Sequence, residues 1–299
     1  MNEQFATVNT GIELCYETFG DPADPTILLV MGLATQMIAW DEAFCAMLVD
    51  RGYYVVRYDN RDVGRSTKLK GRPPTLRQML TRDKRAAAYT LSDMANDGIG
   101  LIDALGIGSA HVVGASMGGM IAQTMALEHP DRIRSLTSIM SSPGDPRTGK
   151  PSPETLAVLL AVPPVEREAF VDAAARTIVW ASKRYGDVEL IRRRFAAYFD
   201  RSFYPEGGAR QLAAIYASGD RSEALAGLGM PALVIHGRDD TLIGIDGGTA
   251  TVAAIPGAHF LTVGDMGHDL PQPLWPMIVS AILGVTSSAL RNVPVAVAQ

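Results

Sequence analysis

The sequence predicts an α/β protein in which a mostly parallel β-sheet carries helices on both faces and accommodates one inserted helical segment. Three observations support this fold class. Short apolar runs recur along the chain, helical stretches lie between most of them, and residues 143–228 contain no convincing strand. Alternation of strand and helix favours parallel strands joined by crossovers. We therefore expect a doubly wound sheet with an inserted helical cap.

The first element predicted is an antiparallel pair of strands. Residues 5–19 alternate between apolar and polar side chains on either side of residues 9–11, whose sequence Asn-Thr-Gly favours a turn. Prolines and aspartates then break the chain at 21–25. Residues 26–31 form an apolar run of the kind found in strands covered on both faces.

The remaining elements follow from the same two patterns, short apolar runs for strands and longer amphipathic stretches for helices. Turn-forming sequences at 141–146 and 227–231 flank the segment without strands. The predicted strands are 53–58, 111–113, 136–140, 232–235 and 260–263, and the predicted helices are 34–50, 90–105, 117–128 and 274–283. The predicted domains are a core of 1–142 and 229–284, a cap of 143–228 and a loose tail of 285–299.

Composition excludes several classes of partner. The chain has 27 Lys and Arg against 32 Asp and Glu, a net charge of −5, so it has no basic excess to neutralise a phosphate backbone or hold an anionic membrane. No signal peptide or membrane span is recognisable. Two cysteines are too few for a disulfide framework, which fits a cytoplasmic location. The sequence does not decide between a monomer and a homo-oligomer.

A nucleophile is predicted where a strand turns sharply into a helix. Residues 114–118 read Gly-Ala-Ser-Met-Gly between the predicted strand 111–113 and a predicted helix. In this setting G-x-S-x-G forms a tight turn that lifts the serine hydroxyl clear of the sheet. The glycines are needed because a side chain there would strike the neighbouring backbone. We assign Ser116 as the nucleophile; the alternative is a tight turn with a capping serine.

Five histidines compete for the role of the base. A serine hydroxyl is a weak nucleophile until a neutral imidazole takes its proton, and a carboxylate must orient that imidazole. The expected chain order is serine, acid, histidine. His268 follows the last predicted strand in a loop with a flanking glycine, whereas His259 precedes that strand, so we favour His268. Structural roles are assigned to His111, His129 and His236.

The acid is sought after the predicted strand 232–235, where Asp239 and Asp240 are adjacent. Neighbouring residues of a loop point in different directions, so only one of them can face the imidazole. Asp265 and Asp269 are too close to His268 in sequence to come from a separate strand, and we interpret them as solvated loop carboxylates. These residues by themselves leave the choice between Asp239 and Asp240 open.

An oxyanion hole requires two backbone N–H donors. One belongs to the residue after the nucleophile, Met117, and the other to the loop after the third strand, where we assign Leu33. Gly32 gives that loop a permissive backbone. The alternative interpretation of Gly32 is that it forms part of an ordinary strand-to-helix turn with no role in catalysis.

Taken in chain order, these motifs resemble those of the α/β-hydrolase superfamily. The resemblance extends over nearly the whole chain outside the tail. The elbow at 114–118 matches in full, and Gly267-His268 is similar to the final motif. Residues 236–240 resemble the segment whose last aspartate is the acid, so the resemblance selects Asp240. Departures from the family pattern are Met31 in place of a histidine, Asp62 in place of a glycine in the loop 58–66, and Thr241 in place of a proline.

Within this superfamily the sequence resembles small actinobacterial esterases, including methylesterases that trim anthracycline-type polyketides. The shared features lie at 20–25, 30–32, 59–66 and 266–268. The resemblance implies an α/β-hydrolase fold and the hydrolysis of a small-molecule carboxylic ester through an acyl-enzyme, without a metal or organic cofactor. Ser116 argues against dehalogenases and epoxide hydrolases, which have an aspartate at the elbow. The alternatives left open are thioesterase, lipid hydrolase, acyltransferase, cofactor-free perhydrolase, carbon–carbon hydrolase and a non-catalytic ligand receptor.

Two groups of residues, most of them in the predicted cap, have a functional and a structural interpretation. The arginine run 192–194 is interpreted as a solvated helix face rather than as a site for an anionic head group. Aromatic side chains either line an apolar pocket or pack the cap. These aromatic residues are Trp40, Trp180, Phe195, Tyr198, Phe199, Phe203 and Tyr204.

Overall fold

A computed structural model describes residues 2–291, which contain one eight-stranded sheet. The strands are β1 (Gln4–Thr7), β2 (Glu13–Phe19), β3 (Thr26–Val30), β4 (Tyr54–Tyr58), β5 (Ala110–Ala115), β6 (Ile133–Ile139), β7 (Ala232–Gly237) and β8 (His259–Val263). Their order across the sheet is β1-β2-β4-β3-β5-β6-β7-β8.

The sheet is parallel from β4 to β8, and only its first edge is antiparallel. β1 pairs with β2 and β2 with β4 in antiparallel register, whereas every later pair is parallel. The predicted opening hairpin is confirmed, as is the mostly parallel sheet. In parallel strands the carboxyl ends lie at one edge, so the loops that follow β3, β5, β7 and β8 meet there.

Helices on both faces cover the sheet, and residues 2–291 contain eleven α-helices in all. They are α1 (Glu42–Val49), α2 (Leu76–Leu80), α3 (Leu91–Ala104), α4 (Met117–Glu128), α5 (Pro153–Leu159), α6 (Arg167–Ala174), α7 (Val188–Arg201), α8 (Pro205–Ser218), α9 (Ser222–Leu225), α10 (Ile245–Ala254) and α11 (Trp275–Arg291). None of the helices in residues 2–291 combines the length and the apolar character needed to cross a lipid bilayer.

Two apolar layers hold the sheet between its helices. Alternate residues of β3 point to opposite faces, so Leu28 packs in the layer that includes α3 and α4, and Leu29 packs in the layer that includes α1 and α11. Both leucines are fully buried. Burial of both faces explains why the central strands are continuously apolar in sequence.

Two predicted boundaries need correction, and one helix was missed. The predicted helix 34–50 is a loop followed by a short 3-10 turn and then α1, because Ala34 takes a positive φ of 52° and Asp41 caps α1 through the N–H of Ala43. The tail was predicted to begin at 285, but α11 passes through Gly284 and ends at Arg291. Residues 292–299 of that predicted tail lie outside the described residues. Helix α10 was not predicted.

The chain between β6 and β7, which we call the β6–β7 segment, carries α5 to α9 and no strand within its described residues. The predicted limits of a cap at 143 and 228 remain a prediction. A buried ion pair ties this segment to the core: Arg201 at the end of α7 contacts Asp59, at 2.7 Å, and Glu3, also at 2.7 Å. The guanidinium also donates to Gln36 Oε1 at 2.7 Å. One cation therefore joins α7, the N-terminal region and the loops after β3 and β4.

We predict that Arg201→Met lowers the free energy of unfolding by about 3–5 kcal/mol, because it leaves the buried carboxylate of Asp59 without its cation. The side chains of Arg201 and Asp59 are 4% and 0% exposed. Urea denaturation checks the prediction. The matched control is Arg167→Met, since Arg167 pairs with Asp200 at 48% and 55% exposure, and its loss is expected to stay below about 1 kcal/mol. Equal losses in the two variants would contradict the role given to the buried pair.

Candidate active site

Ser116 occupies a strained turn between β5 and α4. Its φ of 56° and ψ of −122° lie in a region of backbone conformation that residues other than glycine rarely adopt. The turn is held by the Ser116 N–H, which donates to Ile139 O at 2.9 Å. A Cβ at Gly114 would overlap the carbonyl of Gly118, and one at Gly118 would overlap the carbonyl of Val30. The elbow therefore requires both glycines, as the sequence predicts.

A chain of hydrogen bonds joins Ser116, His268 and Asp240. His268 Nε2 lies 2.8 Å from Ser116 Oγ, and His268 Nδ1 lies 2.7 Å from Asp240 Oδ2. Since an ionised carboxylate only accepts, Nδ1 carries the proton and Nε2 is free to accept from the serine hydroxyl. The three predicted residues come from the loops after β5, β7 and β8 and meet at the carboxyl edge of the sheet.

The Asp240 carboxylate is buried, with a side chain 0% exposed, and is held as an anion. Its Oδ1 accepts from the N–H groups of Leu242 and Ile243 at 2.8 and 2.9 Å. Burial by itself would raise the pKa of Asp240, but His268 and His236 outweigh it and lower the pKa to about 2. The carboxylate therefore stays charged beside the imidazole.

Of the other histidines, three lie away from this chain of hydrogen bonds and the fourth, His236, stands beside Asp240. His111 is buried in β5 against Ser135, and burial lowers its pKa to about 4. His129 contacts Asn96 at 2.8 Å beyond the end of α4. His259 is exposed at the amino end of β8, the opposite edge of the sheet from Ser116. His236 contacts Ile243 O at 2.8 Å and stands 3.5 Å from Asp240 Oδ2.

The neighbouring carboxylates divide into exposed and structural groups. Asp239 faces Lys183 at 3.6 Å, and Asp265 pairs with Arg184 on the surface. The interpretation of Asp269 as a solvated carboxylate is wrong: its Oδ1 accepts from the N–H groups of Ser182 and Gly267 at 3.0 and 3.3 Å. Burial raises the pKa of Asp269 in spite of these bonds. Asp269 links the loop of His268 to the β6–β7 segment.

The loop after β3 approaches the nucleophile closely. A Cβ on Gly32 would stand 3.1 Å from Ser116 Cβ and 3.2 Å from Ala115 O, so this position leaves little space for a side chain. Within residues 2–291, the N–H groups of Leu33 and Met117 donate no hydrogen bond. The N–H of Met117 belongs to the first residue of α4, where the helix dipole favours negative charge. Both predicted oxyanion donors therefore remain available at this edge.

The loop after β4 binds backbone atoms of the loop after β3. Asp59 accepts from the N–H of Met37 at 2.7 Å, and Asn60 Nδ2 donates to Met31 O at 2.9 Å. Asp62, which replaces the usual glycine, takes a φ of 68°. Its carboxylate accepts from the N–H of Leu69 and from the Tyr89 hydroxyl, and these bonds compensate for the strained backbone.

The β6–β7 segment contacts the loops that carry the site, and sequence reasoning missed these contacts. The His268 N–H donates to Trp180 O at 2.6 Å, and Gln211 accepts from the N–H of Ala34 at 2.7 Å. Gln36 Nε2 donates to the carbonyls of Tyr198 and Ser202. No local motif announces such bonds, because Gln211 is 177 residues from Ala34 in sequence.

Most of the aromatic side chains are packing residues. Trp40 is fully buried in the core, with its ring centroid 5.5 Å from that of Phe44. Phe170 contacts Phe195, Phe199 and Phe203 at centroid distances of 5.2–5.7 Å. These rings pack α6 against α7, so their contacts favour packing over pocket lining.

The arginine run begins with a paired surface residue. Arg192 lies near Glu189 on the same helix and near Asp172 on α6. These pairs support the interpretation of a helix face rather than an anion site. Among the residues described, no group of three or more His, Cys, Asp or Glu side chains is placed to hold a metal ion.

Comparison with known proteins identifies the family. A model of the alpha/beta hydrolase fold matches residues 25–271. Rhodomycin D methylesterase DauP of Streptomyces sp. (strain C5) is 27% identical, covering 93% of this chain and 96% of that protein. DnrP, the rhodomycin D methylesterase of Streptomyces peucetius, is 27% identical, covering 94% of this chain and 97% of that protein.

Solved structures support the same assignment. The enol-lactonase of Burkholderia xenovorans LB400 superposes with a TM-score of 0.74 at 25% identity, covering 95% of this chain and 100% of that chain. The fold and the resemblance to methylesterases inferred from the motifs are both confirmed. The chain belongs to the α/β hydrolase fold family, as a hydrolase of the esterase kind that resembles the rhodomycin D methylesterases.

Proposed function

We propose that this protein is a serine esterase that hydrolyses a carboxylic ester through an acyl-enzyme. One observation carries the proposal: an unbroken chain of hydrogen bonds runs from Ser116 Oγ through His268 to Asp240. The link from Ser116 Oγ to His268 Nε2 lies within the distance over which a proton is transferred, and the link to Asp240 orients the imidazole. The strained backbone of Ser116 supports the same conclusion, because such strain persists where the surrounding structure holds a functional group in place.

In the first step Ser116 Oγ attacks the carbonyl carbon of the ester, and its proton moves to His268 Nε2. The imidazolium that forms is stabilised by the buried charge of Asp240 at 2.7 Å. The carbonyl oxygen becomes an oxyanion, which the N–H groups of Leu33 and Met117 would bind. Collapse of this intermediate breaks the bond to the alcohol oxygen, and His268 returns the proton to the leaving alcohol.

The second step repeats this sequence with water. His268 removes a proton from a water molecule, whose oxygen attacks the acyl carbon and forms a second oxyanion. Its collapse breaks the bond to Ser116 Oγ, which regains its proton from the imidazolium. The carboxylic acid leaves, and the site returns to its starting state. Each proton that His268 takes is given back, so the cycle needs no further reactant.

We further propose that the substrate is a methyl ester and that the β6–β7 segment is the cap that selects it. The full-length likeness to two methylesterases supports the first part. The hydrogen bonds of Trp180 and Gln211 with the loops of His268 and Ala34 support the second, because they place the segment next to the carboxyl edge of the sheet. Cytoplasmic location and the absence of a nucleic-acid partner remain predictions from composition.

Ser116→Ala is expected to abolish hydrolysis of short p-nitrophenyl esters, because the attacking oxygen is removed. Circular dichroism and urea denaturation should show an intact fold. A fluorophosphonate should label the wild-type protein at one site, at Ser116, and should fail to label the variant. Wild-type activity in Ser116→Ala would refute the mechanism, and a folded wild-type protein that is never labelled would favour a non-catalytic ligand receptor.

The methyl-ester proposal predicts a preference for small leaving alcohols. Methyl and butyl esters of one aromatic acid form a matched pair, and kcat/KM should be higher for the methyl ester by roughly tenfold, the scale of discrimination by a few methylene groups. Acyl thioesters and long-chain esters, assayed in parallel, test thioesterase and lipid-hydrolase activity. A clear preference for either would contradict the methyl-ester proposal while leaving the serine mechanism intact.

Asp240 should make stability depend on acid pH. Its pKa falls from 3.8 to about 2 on folding, so its stabilising contribution is complete above about pH 4 and is lost as the pH falls toward about 2. The full loss is on the order of 2 kcal/mol. Urea denaturation between about pH 5 and pH 2 should show a steeper decline for the wild-type protein than for Asp240→Asn. Parallel curves would show that the charge of Asp240 is not stabilised as described.

A further inference from the structure

Gln211 on α8 is a buried amide whose two ends contact two loops of the core. Its side chain is fully buried. Oε1 accepts from the N–H of Ala34 at 2.7 Å, and Nε2 donates to Arg61 O at 2.8 Å. A glutamine with one end accepting and the other donating has a defined orientation. Because the orientation of its amide is defined, Gln211 holds the β6–β7 segment and the loop after β3, which carries Leu33, in one relative geometry.

The peptide group between Leu33 and Ala34 is held at both ends. Its N–H donates to Gln211, and its carbonyl, Leu33 O, accepts from the hydroxyl of Thr35 at 2.9 Å. Ala34 has a φ of 52°, a conformation that costs an alanine about 1–2 kcal/mol. The bond from Gln211 helps to maintain this strained conformation, because releasing it would leave a backbone donor without its partner.

Fixing this peptide group restricts the preceding one, which carries the N–H of Leu33. The two groups share the Cα of Leu33, so the direction of its N–H depends on the orientation of the peptide that Gln211 holds. An oxyanion donor must point at the place where negative charge forms, and a displacement of about 1 Å can cost on the order of 100-fold in rate. A misdirected donor would weaken the transition state more than the bound ester.

We propose that Gln211 is a positioning residue that sets the direction of the Leu33 N–H as an oxyanion donor. This inference rests on the proposed esterase function and adds a residue from the β6–β7 segment to its machinery. Gln211 has no part in proton transfer, since its amide is uncharged and both of its ends are used by backbone groups of the core. Its effect reaches the reaction through the backbone of Leu33.

The test compares Gln211→Met, which keeps the length of the side chain and removes the amide, with the wild-type protein. The expected result is a kcat lower by about 10- to 100-fold with a KM changed by less than about threefold. An alkyl trifluoromethyl ketone, whose adduct oxygen occupies the oxyanion position, should lose affinity by a similar factor. A purely structural role would lower stability without this parallel loss of kcat and inhibitor affinity.

Ser218→Ala is the matched control on the same helix. Ser218 Oγ accepts from the N–H of Leu91 at 2.8 Å, so this variant also removes a side-chain acceptor of α8 from a backbone donor of the core, away from the oxyanion loop. Its kcat and inhibitor affinity should equal those of the wild-type protein. If Ser218→Ala lowers both as much as Gln211→Met does, general loosening of α8 explains the effect and the proposal is overturned.

If Gln211→Met does not fold, Thr35→Val tests whether the orientation of the Leu33–Ala34 peptide group affects catalysis. It removes the donor at the other end of the same peptide group, so kcat and affinity for the trifluoromethyl ketone should both fall while KM is kept. Unchanged values would overturn the proposal. Fluorophosphonate labelling separates this outcome from failure of the esterase function: one label per chain at Ser116 in every variant keeps the serine mechanism, whereas an unlabelled wild-type protein removes it.

Discussion

The tight turn at Ser116 is the constraint on which the rest of the site depends. A serine with a φ of 56° is stable only if the backbone on both sides can approach closely, and Gly114 and Gly118 provide that approach. The close contact between the turn and the end of β3 then places Gly32 beside Ser116, so the same geometry that raises the hydroxyl also brings in the loop after β3. The positions of the proposed nucleophile and of the proposed oxyanion donors thus follow from one packing arrangement.

Motifs with a local physical cause could be predicted from the sequence. The elbow is readable because its pattern is contained in five residues, and Gly114 is required by a contact with Gly118 only four residues away. The end of β8 indicates His268, whereas the end of β7 leaves Asp239 and Asp240 open and only the family resemblance selects Asp240. The start of the helix predicted at 34–50 was wrong for the opposite reason, because it depends on a distant contact. Its apolar residues suit a helix, but Ala34 is held in a left-handed conformation by Gln211, a residue far away in sequence. The sequence pattern around Ala34 carries no information about that hydrogen bond.

The unpredicted part of the site lies in hydrogen bonds to backbone atoms of distant loops. Trp180 contributes only its carbonyl to His268, so no side-chain type at 180 is required for the bond. Asp269 was set aside as a solvated loop carboxylate because it is adjacent to His268 in sequence, yet the N–H of Ser182 donates to it. Asp62 shows the converse: the family pattern has a glycine there, and this chain reaches the same positive φ with an aspartate whose carboxylate is bound on both sides.

These contacts explain why the β6–β7 segment and the core are connected through buried polar groups rather than through apolar packing alone. A buried polar group that loses its partner costs about 1–3 kcal/mol and accepts only partners of the right geometry, so such bonds specify one arrangement of the two parts. Gln211 of the segment accepts a hydrogen bond from the loop after β3, and Arg201 of the segment donates to Asp59 in the loop after β4. Gln36, in the loop after β3, donates to the carbonyl of Tyr198 in the segment. Any substitution that changes how the segment sits must therefore also change the loop that carries Leu33. Substrate selection by this segment and stabilisation of the oxyanion would then be coupled through the same few hydrogen bonds.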